Sequence, residues 1–358
     1  MAEVAFFDVT QTEGWTVPDP EIRLFWQRVL PSWTLSEAIF FAAERRIADA
    51  IGNGPTDLEA IARRTATHKE SLRRLLNALA ANGIFKQQGV DRYEPTALSG
   101  PLRSDAADSQ RAYMALGRMI IHRSWNALEQ TMDSGRTAFD VEFGAPIFDY
   151  LREHPSLAAE FAEGMTSTTR RAELALTTAA PFGQFDTVVD VGGSFGSLLR
   201  LLLAKRPSAK GIVFDRPEIA KQAVKHWGNA PDASRLQAVG GNFFDAVPAG
   251  ADLYLLKQIL HDWQDQECLK ILRNVHHAMG CGGRLAVIEM VLPDDGGPHP
   301  GWMSDLMMMT VTGGRERTRS EYSALLTEAG LRIERVIGTD SPLSVIDTRS
   351  SSDPPTKG

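Results

Sequence analysis

The sequence predicts an α/β protein in which a doubly wound, mostly parallel sheet follows a mainly helical N-terminal half. Three observations support this fold class. Before about residue 180, apolar residues recur at the three- and four-residue spacing of amphipathic helices. After about residue 184, short apolar runs alternate with helical patterns, which is typical of a parallel sheet covered by helices on both faces. The last two extended runs are too close for a crossover helix, so we expect them to pair as an antiparallel hairpin.

The N-terminal region combines helices with a small hairpin. Residues 56–83 read as two short helices with a break near Ala66, and "IFKQQGVDRYEPT" reads as two extended pieces around Gly89. This order is a winged-helix pattern, which also occurs in DNA-binding proteins, so a regulator is an alternative. The basic residues of this region are Arg63, Arg64, Lys69, Arg73 and Arg74. A regulator would not need the long helices that follow, which suit an apolar pocket or the cover of a second domain.

These patterns predict four segments of the chain. They are a winged-helix domain over 1–110, a helical connector over 111–180, the α/β domain over 181–349 and a disordered tail over 350–358. The tail is predicted from its small, polar and proline-containing composition.

Composition excludes several classes of protein. The 358 residues are 43% hydrophobic and carry a net charge of -7, which argues against salt-driven binding to nucleic acid. No apolar run approaches the roughly 20 residues of a membrane span, so no membrane partner is predicted. The N-terminus lacks the pattern of a secretion signal. The two cysteines, Cys268 and Cys281, suggest neither a disulfide framework nor a zinc site, and we expect a cytoplasmic protein.

A glycine-rich turn, "VVDVGGSFGSLL", joins the first strand of the α/β region to its first helix. Gly192, Gly193 and Gly196 allow positive φ angles and let a ligand approach the backbone closely. Alone, such a loop is compatible with NAD, FAD or another nucleotide, or with a tight turn that binds nothing.

The acids around this turn narrow the choice of ligand. Asp190 precedes the glycines, where it would repel a pyrophosphate but suit a cationic ligand with an amino group. Asp215 ends the second strand, the position from which an acid bonds ribose hydroxyls. Together they favour S-adenosylmethionine, which has a sulfonium, an α-amino group and a ribose. Asn242 and Phe243, after the third strand, are candidates for holding the adenine, although Phe243 reads equally well as core.

A histidine follows the fourth strand, at the sheet edge where ligands bind in such folds. Asp262, next to His261, is expected to cap the helix that begins near Trp263. Glu289 lies near the end of an apolar strand, where a buried carboxylate needs a partner. Bonded to the imidazole, it would orient the ring and raise its basicity. Glu316 could also orient the imidazole and raise its basicity, or it could be a solvated surface charge. Such a histidine can remove a proton from a hydroxyl, most easily from a phenol.

Six motifs in this order resemble one family. They are "DVGGSFG", "FDRPE", "GNFFDAVP", "LKQILHDW", "VIEMVLP" and "GGRERTRSEYSALLTEAG". From about Leu30 to Thr348 the chain resembles the S-adenosylmethionine-dependent O-methyltransferases of the plant caffeate/flavonoid type and their bacterial natural-product relatives. The resemblance implies a class I methyltransferase, Rossmann-like domain and a winged-helix dimerisation domain. It also implies a homodimer in which the partner subunit partly closes the active site.

The resemblance also implies roles for single residues. The residues expected to bind S-adenosylmethionine are Gly192, Asp215, Asn242, Phe243 and Lys257, with Asp190 and Gly193 beside them. His261 is the expected base, flanked by Glu289 and Glu316. Met165 and Met307 fall where the family places substrate-contacting methionines, and Asp262 is expected to brace the same site. No metal is predicted, because the sequence shows no clustered ligand set.

Two positions depart from the family pattern. Ser194 stands where many relatives have a third glycine, and Asn242 replaces the usual aspartate. An amide still accepts and donates hydrogen bonds, so we expect cofactor binding to survive.

The predicted function is therefore O-methylation of a small aromatic, phenolic or polyketide-like metabolite. The alternatives are a cofactor-binding relative that catalyses decarboxylation, hydroxylation or N- or C-methylation, and a winged-helix DNA-binding regulator. The presence of His261 and both flanking acids argues against a non-methylating relative.

Overall fold

The computed structural model describes residues 22, 24–29, 31–179, 182–280 and 282–352, with only the backbone for residues 27, 28 and 171. Two compact units divide the chain after Arg103, rather than near residue 110, and the predicted connector belongs to the second unit. Cys281, the first 21 residues and residues 353–358 of the predicted tail lie outside the described residues. Among the described residues, no helix combines the length and apolar character needed to span a bilayer.

The first unit has the predicted order of helices followed by a hairpin. Its helices are Phe25–Val29, Ser32–Glu44, Ile47–Ile51, Leu58–Thr65, Lys69–Ala81 and Ala97–Leu102. Its strands are Thr56–Asp57, Phe85–Gln87 and Arg92–Pro95, and the last of these pairs antiparallel with both others. Ala66 ends one helix in the left-handed conformation, with φ of 51°, which separates the two helices at the predicted break.

The second unit begins with a group of helices around an apolar cluster. The helices are Arg111–Leu116, Gly117–Ile121, His122–Ser124, Trp125–Ala127, Leu128–Ser134, Ala138–Phe143, Ile147–Glu153 and Pro155–Ala179. Their buried side chains Leu116, Phe139 and Leu151 pack in one cluster with Val311 of a later helix, and Met307 packs against it. The cluster therefore joins these helices to the α/β part of the unit.

Seven strands form the main sheet. In chain order they are β1 Thr187–Val191, β2 Lys210–Asp215, β3 Leu236–Gly240, β4 Leu253–Lys257, β5 Arg284–Glu289, β6 Leu331–Gly338 and β7 Ser344–Ser350. Their order across the sheet is β6-β7-β5-β4-β1-β2-β3. Strand β7 is antiparallel to both neighbours, and the other pairs are parallel. The predicted class I methyltransferase sheet with an antiparallel last strand is confirmed.

Helices cover both faces of this sheet. The helices of this part of the chain are Ser197–Lys205, Pro217–Trp227, Ala233–Arg235, Leu260–Asp262, Asp265–Ala278 and Arg319–Glu328, together with Gly301–Val311, which packs in the helical cluster. Successive residues of β1 enter different cores, with Val189 on one face and Val188 on the other. This burial of both faces explains why the central strands are continuous apolar runs. A short parallel pair, Val291–Leu292 with Arg317–Thr318, completes the unit.

The parallel strands determine where the polar residues meet. Asp190, Asp215, Lys257 and Glu289 lie in the last two positions of four neighbouring parallel strands. Because the carboxyl ends of parallel strands share one edge, these side chains and the loops after them form one continuous region.

Candidate active site

The glycine turn after β1 accommodates no side chains at its first two positions. Gly192 has φ of 72°, and a Cβ there would collide with the side chain of Ile259. A Cβ at Gly193 would lie 2.6 Å from the carboxyl carbon of Asp190. The carboxylate of Asp190 therefore lies directly against the turn, and glycine is required at both positions by this close packing.

Ser194, the first departure from the family pattern, takes part in fixing Asp215. It has φ of 51°, and its N–H donates to Asp215 Oδ2 at 2.9 Å. The N–H of Arg216 donates to Oδ1 at 2.7 Å. Burial raises the pKa of Asp215, and the two backbone donors act against this rise. The carboxylate is thus held at the end of β2 by main-chain bonds that do not depend on the side chain of Ser194.

Asp190 is buried among charges of both signs. Burial raises the pKa of Asp190 to about 7, with Lys257 opposing the rise and Glu173 and Asp215 adding to it. Lys257 does not stand alone, since its Nζ lies 2.9 Å from Glu173 Oε1. Glu173 comes from the long helix Pro155–Ala179 and was absent from the predicted site. A glutamate in a helix ordinarily reads as part of a solvated face, so the sequence carried no signal for it.

Asn242 and Phe243 lie after β3, as predicted. Asn242 accepts a bond from the N–H of Phe244 at 3.1 Å and donates to Asp245 at 3.1 Å. Phe243 is partly buried, packs against the core and approaches Gly192. Its ring meets Trp263 edge-on, with centroids 6.1 Å apart. Both interpretations of Phe243, core residue and ligand contact, remain compatible with these contacts.

His261 is buried in a single helical turn after β4, with 7% of its surface exposed. Its Nδ1 lies 3.0 Å from Glu316 Oε1 and 3.7 Å from Glu289 Oε2. Glu289 in turn accepts bonds from the N–H groups of Ile259 at 3.0 Å and Leu260 at 2.9 Å. The three predicted residues are therefore adjacent, and the arrangement leaves Nε2 on the side away from both glutamates.

The carboxylates around His261 favour its charged form. Burial opposes the imidazolium, but Glu289, Asp262 and Glu316 outweigh burial and raise the pKa of His261 to about 10. Burial raises the pKa of Glu289 to about 7, and the charge of His261 acts against this rise. A proton that reaches this imidazole is thus strongly stabilised.

The predicted helix cap at Asp262 is wrong. The helix begins at Asp265, and Gln264 occupies the cap position. The backbone is extended at Trp263 and Gln264, which places two residues between Asp262 and the helix. Asp262 Oδ1 lies 3.8 Å from His261 Nε2 instead, and burial raises the pKa of Asp262 to about 6.

Glu316 is held by the helix Gly301–Val311. Ser304 Oγ donates to Glu316 Oε1 at 2.7 Å, so this oxygen bonds both the serine and the imidazole. The N–H of Glu316 donates to Asp305 Oδ1 at 2.9 Å. No signal in the sequence pointed to Ser304 and Asp305, because they lie in a methionine-rich helix that reads as apolar.

Arg317 supports the loop that carries the histidine. It is 1% exposed and donates to the carbonyls of Leu260 at 3.0 Å and Trp263 at 2.8 Å, and to Asp265 Oδ1 at 2.7 Å. These bonds tie both ends of the loop to residue 317. The motif "GGRERT" contains this residue, but a basic side chain among polar neighbours gave no sign of burial.

Aromatic and sulfur side chains contact one another in the second unit. Phe148 stacks on Trp263 with centroids 5.6 Å apart. Tyr113 donates to Met307 Sδ at 3.8 Å, and its backbone would lie 3.3 Å from a Cβ at Gly164, the neighbour of Met165. Both predicted substrate methionines are partly buried. These side chains provide flat and polarizable surfaces of the kind that accommodate aromatic molecules.

The described part of the chain contains one group of residues with metal-ligand spacing. It is His261, Glu289 and Glu316, so the expectation that no such set exists is wrong. The three residues were predicted to be adjacent, but they lie on three separate elements, so their sequence spacing is not that of a metal-ligand motif. The absence of a metal stays a prediction.

Two parts of the chain match known protein domains. Residues 28–103 match the O-methyltransferase dimerisation domain, and residues 125–332 match the O-methyltransferase domain. The chain is 35% identical over 322 residues to the phenazine O-methyltransferase PhzM of Lysobacter antibioticus, covering 90% of this chain and 94% of that protein. It is 33% identical over 308 residues to the 2,7-dihydroxy-5-methyl-1-naphthoate 7-O-methyltransferase of Streptomyces carzinostaticus, covering 86% and 92%.

The fold of a solved methyltransferase structure is similar to this chain over nearly its whole length. Human N-acetylserotonin methyltransferase, crystallised in complex with S-adenosylmethionine, has a TM-score of 0.86 at 27% identity, covering 94% of this chain and 99% of that one. The dimerisation domain supports a homodimer. The domain matches and the similarity over nearly the whole chain show that this protein belongs to the S-adenosylmethionine-dependent O-methyltransferases.

Proposed function

We propose that the protein methylates a phenolic hydroxyl of a small aromatic metabolite, with His261 as the general base. The observation that carries the proposal is the 3.0 Å contact between His261 Nδ1 and Glu316 Oε1. It holds the proton of a neutral imidazole on Nδ1 and leaves the lone pair of Nε2 free to accept another.

The chain offers groups that suit the cofactor. The turn at Gly192 and Gly193 exposes backbone without side chains, and Asp215 is held at the end of β2 for ribose hydroxyls. Asp190 and Lys257 lie beside the turn, and Asn242 and Phe243 follow β3. When bound, S-adenosylmethionine supplies a methyl group on a sulfonium centre.

His261 then moves a single proton. Nε2 takes the proton of the phenol, and the imidazolium that forms is stabilised by Glu316, Glu289 and Asp262. The pKa of a free phenol is about 10, close to that of His261 in this pocket, so the transfer is nearly balanced. Much of the rate enhancement is expected from holding the phenolate oxygen against the methyl donor.

The surroundings support an aromatic substrate. Phe148 stacks on Trp263, two residues after the base. Tyr113 contacts Met307 on the helix whose serine bonds Glu316. Two of the relatives are named for a phenazine and for a dihydroxynaphthoate, which are flat aromatic molecules. The proposal includes a homodimer and a cytoplasmic setting, and it includes neither nucleic acid nor a membrane as partner.

Methyl transfer from isotopically labelled S-adenosylmethionine tests the proposal. Each candidate phenol is paired with its O-methyl ether and with the corresponding amine. We expect label in the phenol alone. His261→Ala should lower the rate about 100-fold or more while binding of S-adenosylhomocysteine is retained. His277→Ala is the matched control, since His277 is exposed on the helix Asp265–Ala278.

The outcomes separate the alternatives. Full turnover by His261→Ala would refute the general base. Label in the amine would identify an N-methyltransferase. A substrate that changes mass while the cofactor stays unconsumed would identify a non-methylating relative.

A further inference from the structure

Glu173 is a fully buried carboxylate in the cofactor region. It is 0% exposed and lies in the second half of the long helix Pro155–Ala179. Three side chains donate to its Oε1: Lys257 at 2.9 Å, Ser197 at 2.7 Å and Thr169 at 3.2 Å. Ser197 is the first residue of the helix after the glycine turn. Oε1 is therefore saturated, and it attaches the long helix to β4 and to the turn.

The other oxygen of Glu173 has no such partner. Within the described residues, Oε2 is buried and accepts no hydrogen bond. A buried carboxylate oxygen without a donor is costly, because water no longer solvates it. One side of the carboxylate thus has three donors, while the other side needs one.

Carboxylates outnumber cations around Glu173. Asp190, Asp215 and Glu173 are three carboxylates, whereas Lys257 interacts with Asp190 and bonds Glu173, and Arg216 interacts with Asp215. A ligand with a positive hydrogen-bond donor would supply both the missing charge and the missing donor. S-adenosylmethionine has one such group, its α-ammonium. Its sulfonium has no hydrogen to donate, and its ribose hydroxyls suit Asp215.

We propose that Glu173 binds the cofactor directly, its free Oε2 accepting a hydrogen bond from the α-ammonium group while Oε1 remains bonded to Lys257 and Ser197. The inference rests on the cofactor and is independent of the general base. It makes Glu173 a specificity-determining residue for the amino group. The competing explanation is that Glu173 only positions Lys257.

Binding of two ligands by calorimetry separates these roles. The ligands are S-adenosylhomocysteine and its α-deaminated analogue, in which hydrogen replaces the amino group. Wild type should bind S-adenosylhomocysteine the more tightly. Glu173→Gln presents an N–H group in place of Oε2, so it should lose about tenfold or more in affinity for S-adenosylhomocysteine and little for the analogue. Glu160→Gln, exposed on the same helix, is the matched control.

Each outcome has a definite meaning. Equal loss for both ligands, or no loss for either, would overturn the proposal, and the first result would assign Glu173 to positioning Lys257. Failure of wild type to bind S-adenosylhomocysteine would instead count against the cofactor itself. If Glu173→Gln does not fold, Glu173→Asp keeps the charge but shortens the side chain. It should then reduce the preference for the amino-bearing ligand without abolishing it.

Discussion

Two buried clusters of acidic side chains lie at one edge of the sheet, and the positive charge in each cluster has a different source. The base cluster comprises His261, Asp262, Glu289 and Glu316. The cofactor cluster comprises Glu173, Asp190, Asp215 and Lys257. Each sets three carboxylates around one basic side chain.

The clusters differ in where their positive charge comes from. In the base cluster the cation is the imidazolium, whose proton comes from solution or, in the proposed reaction, from the phenol. In the cofactor cluster the lysine is already bonded to Glu173, and burial leaves Asp190 poorly stabilised as an anion. Under the two proposals, one arrangement stabilises a positive charge on the histidine, while a similar arrangement receives its second positive charge from the cofactor.

Replacing Asp190 is expected to have the largest effect on stability. Its pKa of about 7 lies above the ordinary value of 3.8, so the native state keeps a proton that the unfolded state releases. The ligand-free protein should therefore lose stability as pH rises from about 4 to 7. In Asp190→Asn, the free energy of unfolding should fall by a few kcal/mol less over this pH range, because each unit of pKa shift corresponds to about 1.4 kcal/mol.

Urea denaturation across this pH range measures the effect. Asp186→Asn, at an exposed position just before β1, is the control and should keep the wild-type slope. Equal slopes in wild type and Asp190→Asn would mean that the acid is not a strained member of the cofactor cluster.

Replacing Glu316 should have an intermediate effect, confined to the base cluster. Glu316→Gln removes a negative charge 3.0 Å from the imidazole, which lowers the pKa of His261 by about one unit from about 10. The neutral imidazole then appears at lower pH, so the pH–rate profile for methylation should shift by about one unit to lower pH, while its plateau falls because the imidazole is a weaker base. Titration of the histidine ring carbons by NMR measures the pKa directly.

Exposed Glu267 provides the control as Glu267→Gln, which should change neither the pKa nor the rate. An unchanged pKa of His261 in Glu316→Gln would show that the glutamate orients the ring without tuning it. Cofactor affinity should be the same in both variants if the two clusters act separately.

The smallest effect is expected at the glycine turn. Ser194 has φ of 51°, a conformation that destabilises the fold by about 1 kcal/mol when the residue has a side chain. Its hydrogen bond to Asp215 comes from the backbone N–H. Ser194→Gly should therefore stabilise the fold by about 0.5 to 1 kcal/mol and leave cofactor affinity unchanged. Thermal denaturation with and without S-adenosylhomocysteine tests both parts.

Ser208 is a suitable control for that substitution. It is exposed and has no positive φ, so Ser208→Gly should bring no gain in stability. A loss of cofactor affinity in Ser194→Gly would reveal a role for the hydroxyl that the backbone geometry does not require.

The fold and one edge of the site followed from local patterns. Apolar runs buried on both faces predicted parallel strands, and residues at the ends of such strands necessarily share an edge. That reasoning brought Asp190, Asp215, His261 and Glu289 together without any knowledge of contacts. The prediction that Asp262 caps a helix failed, because two extended residues intervene before the helix begins.

The sequence by itself thus determined the sheet, its cofactor edge and the identity of the histidine beside two acids. Only the tertiary structure decided which side chains reach these groups from other elements: Glu173, Ser304 and Arg317. A glutamate, a serine or an arginine in a local pattern reads as a solvated residue. Its burial depends on elements that are distant in the sequence, and the local hydrophobic pattern carries no information about them.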